Sequence, residues 1–450
     1  MTALPSSLQQ VAAERLPRYT SYPTAPNFTP AIDGAVTRDW LRTIDPKQSA
    51  SLYFHVPYCR SLCWYCGCHT KIPADDTAIG RYIETLLAEL DLVVSLLPPR
   101  VGITHLHWGG GTPTIIGPSA MRRLQAAITR DFRLDAGAEI AIEVDPRTLT
   151  AEMATTLGAC GFNRASLGVQ TFDPVVQRAI HRIQNAAVTE AAVRHLRDAG
   201  IRALNLDLIY GLPHQTVASC VATVERVLDF APDRVAVFGY AHVPAMKPHQ
   251  RHIDEAKLPD AAARFAQAEA IAEAFLTAGY RRIGLDHFAK PDDALARALD
   301  AGRLRRNFQG YTTDGADLLL GFGASAIGRL PQGYVQNTPR IAAYQEAVAA
   351  GRMATARGVH FTAEDRLRAV VIERLMCDLT VDLEAASAAW LPAYNFARER
   401  KRLAVMAADG LVEIEGARIT VPAEMRPFVR RVAAVFDAAQ AVGATHAPAV

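Results

Sequence analysis

Short apolar runs alternate with segments of helical apolar spacing between about residue 50 and residue 240. The runs are rich in β-branched and aromatic residues and are followed by glycine, proline or polar residues, a pattern typical of buried strands. After the first run, apolar residues recur at intervals of three and four, as on one face of a crossover helix. The predicted strands are SLYFHV (51–56), ITHLHW (103–108), EIAIEV (139–144), RASLGV (164–169), ALNLDLI (203–209) and RVAVFGY (234–240).

The alternation of strands and helices predicts how the strands pair. Strands joined by single helices pair in parallel through right-handed crossovers. Polar residues lie at the carboxyl end of every run, and a parallel barrel brings all of these ends to one mouth, whereas an open sheet gathers only some of them. The sequence therefore predicts an α/β fold built on an incomplete parallel (β/α)6-type barrel.

The two ends of the chain depart from this pattern. The first contains PRYTSYPTAPNFTP, whose prolines predict an extended arm. The second carries two amphipathic segments followed by LVEIEGARITV, which predicts a β-hairpin turning near Gly416. The predicted division is an N-terminal arm over 1–35, a barrel over 36–350, and a small, mainly helical C-terminal domain over 351–450.

Helices followed by a hairpin resemble a winged helix, a unit that often binds DNA. Glu413 and Glu415 lie on the would-be wing, where their charge would repel phosphate. Packing against the barrel is therefore the favoured role of this domain.

Composition narrows the class of protein. Half of the 450 residues are hydrophobic and 21% are charged, which is ordinary globular usage. The 48 basic and 46 acidic residues give a net charge of +2, too balanced for a broad nucleic-acid interface. The first residues lack the pattern of a signal peptide, and apolar stretches of about 18 residues are absent from the sequence. We expect a cytoplasmic protein with no nucleic-acid partner and no membrane span.

Four of the seven cysteines fall within ten residues, after the first predicted strand, as Cys59, Cys63, Cys66 and Cys68. Thiolates bind zinc and iron–sulfur clusters. A structural zinc site commonly uses two pairs of ligands with a long spacer, and the sequence has no second pair. Three cysteines at this spacing can instead hold three irons of a 4Fe-4S cluster and leave one iron open. The spacing favours a cluster, with zinc as the alternative.

Two motifs together resemble the radical S-adenosylmethionine (SAM) enzymes: C-x3-C-x2-C over 59–66 and WGGGTPT from Trp108 to Thr114. Within that superfamily, PRYTSYPTA, EVDPRTL, SLGVQTFDPVVQRAIHRIQ, NLDLIYGLPHQT and RNFQGYTT resemble the oxygen-independent coproporphyrinogen III oxidases of haem biosynthesis. Haem-chaperone-like paralogues typically carry an aromatic residue in place of Cys68 and lack the PRYTSYP arm. These two features favour the oxidase family.

The resemblance implies a set of cofactors and ligands. A 4Fe-4S cluster would be held by Cys59, Cys63 and Cys66, in the loop 59–68, and two SAM molecules would bind beside it. The residues implied for the first SAM are Tyr53, Tyr65, Gly110, Glu143 and Ile327. Those implied for the second are Gly111, Thr112, Gln170, Arg182, Asp207 and Ala241.

The reaction implied is the conversion of coproporphyrinogen III to protoporphyrinogen IX. A 5′-deoxyadenosyl radical would take a hydrogen from the propionates of rings A and B, which lose carbon dioxide and become vinyl groups. The implied partners are a flavodoxin- or ferredoxin-like electron donor and an unknown electron acceptor, and the protein is expected to be a monomer. Two alternatives stay open: a haem-binding chaperone-like paralogue and a structural zinc protein.

Further residues are candidates for roles in this reaction. The catalytic candidates are Cys68, His55, Glu143, Phe308 and Gln309. A packed, hydrogen-bonded histidine is the alternative interpretation of His55. Four substrate carboxylates require local cations even though the net charge is small. The candidate cations are Arg18, Arg182, Arg305 and Arg306.

Overall fold

The computed structural model describes residues 14–438. Its strands are β1 (Ser49–Val56), β2 (Gly102–Gly110), β3 (Arg133–Val144), β4 (Arg164–Gln170), β5 (Ala203–Tyr210), β6 (Arg234–Gly239), β7 (Arg281–Ile283), β8 (His287–Ala289), β9 (Arg305–Asn307), β10 (Gly310–Thr312), β11 (Leu318–Phe322), β12 (Ile327–Leu330), β13 (Gly333–Asn337), β14 (Thr355–His360), β15 (Thr380–Asp382), β16 (Glu413–Glu415) and β17 (Arg418–Thr420). Its α-helices are α1 (Gly34–Arg42), α2 (Asp76–Val94), α3 (Gly117–Asp131), α4 (Ala151–Ala159), α5 (Pro174–Ala179), α6 (Ala186–Asp198), α7 (Val217–Leu228), α8 (Ala261–Thr277), α9 (Ala294–Asp300), α10 (Ile341–Ala349), α11 (Ala363–Asp378), α12 (Leu383–Trp390), α13 (Ala397–Ala408) and α14 (Val429–Ala433). Residues 1–13 of the predicted arm and 439–450 of the predicted C-terminal domain lie outside the described residues. None of the helices in the described part of the chain has the length and apolar character needed to cross a bilayer.

Twelve of the described strands form one sheet, in the order β14-β13-β12-β11-β1-β2-β3-β4-β5-β6-β8-β7. The strands from β11 to β6 in this order are parallel, and antiparallel strands extend the sheet on both sides. Among the described strands β14 and β7 are the two edges, so the barrel is open. The six predicted strands and the incomplete parallel barrel are confirmed. The sheet continues past the predicted domain boundary at residue 351, through β14.

A further parallel strand, β11, was not among the predicted runs. It follows the β9–β10 hairpin rather than a helix, so the alternation of strands and helices did not reveal it. β11 pairs with β1, and Phe54 stacks between Trp108 of β2 and Phe322 of β11, with ring centroids 4.5 and 4.7 Å apart. This buried aromatic stack joins three neighbouring strands on the face that packs against the helices.

The two faces of the parallel strands differ in character because successive side chains point to opposite sides of a sheet. The face toward the helices is apolar and fully buried, as at Leu52, Leu106, Ile142 and Leu206. The interior face of the barrel carries polar side chains that bond to one another across strands. They include Ser51, Tyr53, His55, His105, His107, Glu139, Glu143, Arg164, Ser166, Asn205, Asp207 and Arg234.

Ion pairs fill the amino-terminal end of the barrel interior. Arg164 and Arg234, the first residues of β4 and β6, bond to Glu139 and Asp293. The shortest distances are 2.9 Å from Arg164 Nε to Glu139 and 2.7 Å from Arg234 Nε to Asp293. Because all four side chains are largely buried and paired, this end of the barrel is filled, and the opposite end is left for chemistry.

Helix α2 is tied to the sheet by the buried Glu89. Its carboxylate accepts hydrogen bonds from the Gly323 N–H (2.7 Å), the Tyr344 hydroxyl (2.7 Å) and Asn337 Nδ2 (2.6 Å). Gly323 follows β11, Tyr344 lies in α10, and Asn337 is the last residue of β13. Burial raises the pKa of Glu89 to about 7, although the hydrogen bonds act in the opposite direction.

This raised pKa predicts a pH-dependent stability. Between the ordinary value of 4.5 and about 7, native Glu89 keeps a proton that the unfolded chain has released. Its contribution is therefore fully present at low pH and is lost as the pH rises through this range. As the pH rises from 4.5 to about 7, the free energy of unfolding of the wild type is expected to fall by on the order of 2 kcal/mol relative to that of a Glu89→Gln variant. Urea denaturation of both proteins at the two ends of the range measures this, and equal changes in both would contradict it.

The C-terminal part is helical and contains the small antiparallel sheet β15-β17-β16. The predicted hairpin is confirmed as β16 and β17, with Gly416 between them at a φ of +62°. The core of this part reaches the barrel helix α8, where Phe265 stacks on Phe428 with ring centroids 6.4 Å apart. The domain thus packs against the barrel, the role favoured from its sequence.

The described part of the N-terminal arm runs from residue 14 along the C-terminal domain. Residues 14–24 contain no helix, as the prolines predict, but a 3-10 helix (Ala25–Asn27) and the start of α1 at Gly34 fall within the predicted arm. Leu16, Tyr19 and Tyr22 are buried in the core of the C-terminal domain, and the Tyr19 hydroxyl donates to Asp437 at 3.1 Å. Residues of the arm therefore form part of the core of the C-terminal domain, and the two pack as one unit.

Candidate active site

The cysteine loop follows β1 directly, at the carboxyl end of the barrel. The thiols of Cys59, Cys63, Cys66 and Cys68 are free of disulfides. A hydrogen bond with the Cys68 thiol is the first cause that lowers the pKa of Cys66, to about 7, with help from nearby cations. Cys66 is therefore close to its thiolate form at neutral pH. Within residues 14–438, no three His, Cys, Asp or Glu side chains converge on a point that suits a single metal ion.

Aromatic packing fixes the middle of the cysteine loop. The Trp64 ring packs on the rings of His181 and His252, with centroid distances of 5.2 Å to each. The Trp64 N–H donates to the Ile180 carbonyl at 3.0 Å. His181 and Ile180 belong to the segment after α5 and His252 to the segment after β6, so two separate segments hold the loop.

The segment after β6 also bonds to the carbonyls of the cysteine loop. His249 Nε2 lies 2.7 Å from the Cys66 carbonyl, and Lys247 Nζ donates to the Cys68 carbonyl at 2.9 Å. Gln250 donates to the Tyr65 carbonyl at 3.1 Å. These three contacts position the loop against the segment after β6.

Two guanidinium groups face the Cys63 sulfur. Arg182 Nη1 lies 3.4 Å and Arg147 Nη2 3.6 Å from Sγ. Asp145 holds both arginines, at 2.6 Å from Arg147 and 3.3 Å from Arg182. Donors and positive charge at this position stabilise a thiolate and any anionic group attached to it.

Glu143 is the centre of a connected group at the ends of β1, β2 and β3. Its carboxylate accepts from the Gly110 N–H at 3.0 Å and lies 3.3 Å from His107 Nε2. Burial raises its pKa, but the contacts with His107 and Gly110 hold the pKa below its usual value. The side chain is still 37% exposed, so an ionised carboxylate is accessible to a ligand.

The glycines of WGGGTPT allow close approach of the backbone. A Cβ on Gly110, whose φ is +116°, would lie 2.7 Å from the His55 ring, and one on Gly111 would lie 2.5 Å from the Tyr58 carbonyl. The Gly111 N–H donates to the carbonyl of Val56, the last residue of β1, and the Thr112 N–H to that of Tyr58, both at 2.8 Å. Because these glycines have no side chain, the backbone of the glycine segment packs directly against β1. The space that remains beside it is occupied by the side chains of Glu143 and its neighbours.

His55 uses both ring nitrogens within the protein. Nδ1 lies 2.9 Å from the Tyr53 hydroxyl, and Nε2 lies 3.0 Å from the His69 carbonyl. A carbonyl only accepts, so Nε2 carries the proton and Nδ1 accepts from Tyr53. Burial lowers the pKa of His55 to about 4. This is the packed, hydrogen-bonded histidine of the alternative interpretation, and it orients Tyr53, which stacks on His107 at 5.9 Å.

The structure brings most residues implied for the first SAM together, with the exception of Tyr65. Tyr53, Gly110 and Glu143 form the connected group, and the Ile327 backbone packs against Gly321, the residue paired with Tyr53. Tyr65 instead packs, with Trp64, against an apolar cluster of Val176, Ile180, Leu212, Tyr240 and Ile253.

Tyr65 neighbours residues implied for the second SAM. After burial, Arg182 is the strongest influence on its pKa, which is raised well above the usual range. Gln250 bonds both the Tyr65 carbonyl and the Ala241 carbonyl, at 3.1 and 3.2 Å. The sequence motif placed Tyr65 beside the cysteines, but the direction of the loop decides which side it faces. The structure therefore groups Tyr65 with Arg182 and Ala241.

Gln170 is the last residue of β4, and Asp207 lies in the neighbouring strand β5. Asp207 accepts from Ser166 at 2.9 Å and from Asn205 at 2.7 Å, and burial raises its pKa to about 6, with the Glu143 charge adding to the shift. Gln170 is buried at a φ of +70°, with Arg182 beside it near Gly168. These two residues line the same interior as Glu143 and Arg182.

The last two catalytic candidates lie in the β9–β10 hairpin. Phe308 and Gln309 form the turn of the β9–β10 hairpin, and Phe308 packs edge-on against Tyr334 at 5.6 Å. The hairpin covers the interior face at His287, which contacts Tyr311 at 5.1 Å. Its position over the barrel interior fits a role near the substrate, which stays a prediction for both residues.

The four candidate arginines separate. Arg182 belongs to the cysteine loop, and Arg305 is half-exposed and paired with Glu373 at 2.9 Å. Arg18 and Arg306 are together, since Arg306 Nη2 donates to the Arg18 carbonyl at 3.2 Å. Arg18 and Arg306 line the same cleft as three further arginines, Arg264, Arg282 and Arg430.

Sequence reasoning missed several residues of the site. His107, the partner of Glu143, could have been found from its alternation with His105 on the second run. Arg147 was visible only as part of EVDPRTL. His249 and Lys247 carry no local signal, because their contacts with the cysteine loop are created by the fold.

Comparisons with known proteins agree with this geometry. The model of the Radical SAM superfamily matches residues 53–227. The oxygen-independent coproporphyrinogen III oxidase of Bradyrhizobium diazoefficiens is 55% identical over 426 residues, covering 94% of this chain and 95% of the relative. That of Paracoccus denitrificans is 45% identical, covering 97% of each chain. The solved coproporphyrinogen III oxidase of Escherichia coli, described as a radical SAM enzyme, aligns with a TM-score of 0.89 at 38% identity, over 94% of this chain and all of that one.

Proposed function

Because this chain belongs to the family of oxygen-independent coproporphyrinogen III oxidases, we propose that it converts coproporphyrinogen III to protoporphyrinogen IX by oxidative decarboxylation. It is a radical SAM oxidoreductase. One observation carries the proposal: Cys59 Sγ lies 3.2 Å from the Thr112 hydroxyl, next to the Gly110–Glu143 contact. The cysteine loop and the glycine segment, distant in sequence, therefore form one site.

The residues present fit the 4Fe-4S cluster that the family implies. Three free thiols are held in one loop, and two arginines donate toward the Cys63 sulfur. Thiolate ligands with N–H donors at a sulfur are the surroundings in which iron–sulfur clusters are stable. We infer that Cys59, Cys63 and Cys66 hold the cluster.

When bound, the cluster and SAM supply a radical able to remove hydrogen from carbon. Within the proposal, the chain's residues bind, orient and exclude water. Glu143, ionised and accessible, accepts hydrogen bonds from the ammonium of the methionyl group. His107 and the Gly110 N–H fix the direction of that carboxylate, and His55 holds Tyr53 beside it.

A second SAM molecule is part of the proposal. Tyr65, Arg182 and Ala241 lie on one side of the cysteine loop, and Gln170 and Asp207 line the adjoining interior. Arg182 suits a carboxylate, and Asp207 suits a hydroxyl or an ammonium group. Gly111 and Thr112 contribute through their position, since their N–H groups already bond to the protein.

Other parts of the expectation stay predictions. They are the flavodoxin- or ferredoxin-like electron donor, the electron acceptor, the cytoplasmic location and the monomeric state. The relatives are oxygen-independent coproporphyrinogen III oxidases, which favours neither alternative function. Glu413 and Glu415 are exposed on β16, where they would repel a nucleic acid.

The proposal is tested by anaerobic turnover of the reconstituted full chain. With a reductant, SAM and coproporphyrinogen III, we expect protoporphyrinogen IX, carbon dioxide and 5′-deoxyadenosine. Omission of SAM provides the control and is expected to abolish all three products. Formation of 5′-deoxyadenosine without loss of carbon dioxide from the porphyrinogen would contradict the proposed substrate.

A further inference from the structure

A cleft rich in arginine lies where the ends of β5 and β6 meet the N-terminal arm and the C-terminal domain. It encloses about 720 Å³, including the part open to solvent. Its lining residues come from the N-terminal arm, strands β5 and β6, helix α8, the β7–β8 and β9 segments, and the C-terminal domain. The charged ones are Arg18, Arg264, Arg282, Arg306, Arg430 and Asp286.

The fold presents these guanidinium groups at fixed positions. Arg264 lies over the Tyr210 ring at 5.5 Å, and Arg306 lies over the Tyr311 ring at 4.4 Å. Arg18, exposed at the rim, donates to the Gly239 carbonyl at 3.1 Å. A Cβ at Gly211, whose φ is +79°, would lie 2.1 Å from Arg264 Nη1. The glycine makes room for the arginine, so the cation is part of a built wall.

The cleft has an excess of positive charge. Asp286 is the one acid among the described residues of its lining, and a hydrogen bond with His287 and the charges of Arg306 and Arg18 keep its pKa below the usual range despite burial. Arg282 is partly balanced by Glu269 at 3.3 Å. Five cations therefore face two carboxylates.

The buried arginines respond to this excess. Burial first, and then the Arg18 charge, lower the pKa of Arg430 to about 10. Among the described residues, Nε and Nη1 of Arg306 are buried without a hydrogen-bond partner. Buried cations and unsatisfied N–H donors are costly unless an anion supplies the missing charge and acceptors.

The cleft adjoins the interior that holds Glu143. Asp286 bonds to His287 at 2.8 Å, and Ala236 of β6 is paired with both His287 of β8 and Asp207 of β5. Neighbouring strand positions thus lead from the polar interior of the barrel to the arginines. A ligand large enough to span both could place one end at each.

We propose that this cleft binds carboxylate arms of the tetrapyrrole substrate, namely the propionates that are retained in the product. The proposal rests on the proposed function. Guanidinium groups pair with carboxylates in two-pronged geometry, so the arginines of the cleft would hold the arms while the macrocycle lies toward the barrel interior. The near-neutral chain thereby concentrates positive charge where a tetra-anion requires it.

The test uses the reconstituted full chain and the stable oxidised porphyrin coproporphyrin III, with binding followed by fluorescence quenching. Arg264→Gln and Arg430→Gln are each expected to raise Kd about tenfold or more, because each removes a charged hydrogen-bond donor. Arg18→Gln, at the exposed rim, is expected to act in the same direction and does not depend on a buried position for folding. Arg123→Gln, an exposed arginine paired with Glu84, is the matched control and is expected to bind normally.

The tetra-ester of coproporphyrin III keeps the macrocycle but lacks the carboxylate charges. It therefore distinguishes recognition of charge from recognition of the ring. It is expected to bind weakly to the wild type and to be insensitive to the arginine substitutions. Reductive cleavage of SAM without substrate is expected to be unchanged in all variants. Normal coproporphyrin binding by the arginine variants would overturn the inference alone. A wild type that cleaves SAM but binds no coproporphyrin would overturn the proposed function as well.

Discussion

Replacing Cys66 by serine is expected to give protein that holds no intact 4Fe-4S cluster and shows no measurable turnover. A serine oxygen is a harder donor than a thiolate and does not replace it as an iron ligand. Cys66 is also the thiol whose pKa is lowered to about 7, which prepares it for ligation at neutral pH. Iron and sulfide content, with the absorbance of the anaerobically reconstituted protein, measure the effect.

Cys68→Ser is the matched control, because it makes the same chemical change two residues away. The Cys68 thiol bonds to Cys66, and its carbonyl accepts from Lys247, so a serine hydroxyl can keep the loop in place. This variant is expected to retain its iron and its absorbance. Equal loss of iron in both variants would contradict the assignment of three ligands, and normal porphyrinogen turnover by Cys68→Ser would remove Cys68 from the catalytic candidates.

Replacing Glu143 by glutamine is expected to weaken SAM binding by about 100-fold while leaving the iron content unchanged. The neutral amide lacks the charge that pairs with an ammonium group. Its NH2 group cannot accept a hydrogen bond, so it would lose the contact with either the Gly110 N–H or His107. These are the two contacts that orient the carboxylate. Equilibrium binding of SAM and the rate of 5′-deoxyadenosine formation are the measurements.

Glu152→Gln provides the comparison for this variant. Glu152 is exposed in the first turn of α4, away from the strand ends. It is expected to bind SAM as the wild type does. If Glu143→Gln bound SAM with unchanged affinity, the carboxylate would not contact the methionyl group, and the connected group around Glu143 would have only a structural role.

Much of the fold could be predicted because periodicity is a local property. All six predicted strands occur within a residue or two of their runs, except that β3 begins earlier, at Arg133. The C-terminal hairpin at Gly416 was equally clear, because a turn requires few residues. β11 was missed because its five residues follow a hairpin instead of a helix, and only pairing with β1 makes it part of the barrel.

The site was predicted unevenly for a related reason. The cysteine ligands follow β1, and Glu143 is the penultimate residue of β3, so their position at the mouth is set by the chain itself. His55 also follows this rule, but its two hydrogen bonds depend on Tyr53 and on the distant His69 carbonyl. A sequence specifies which groups can donate and accept, and packing decides which of them are already satisfied.

By itself the sequence determined the parallel strand–helix repeat, the cysteine loop and its cluster-like spacing, and the resemblance that names the family. These rest on spacing along the chain. Tertiary structure alone decided that Tyr65 faces Arg182 and that Arg305 pairs with Glu373 outside the cleft. It also decided that Arg18, Arg264 and Arg430 meet in one place. Charges from distant segments interact only when folding brings them within a few ångströms, because their attraction and repulsion depend on distance in space.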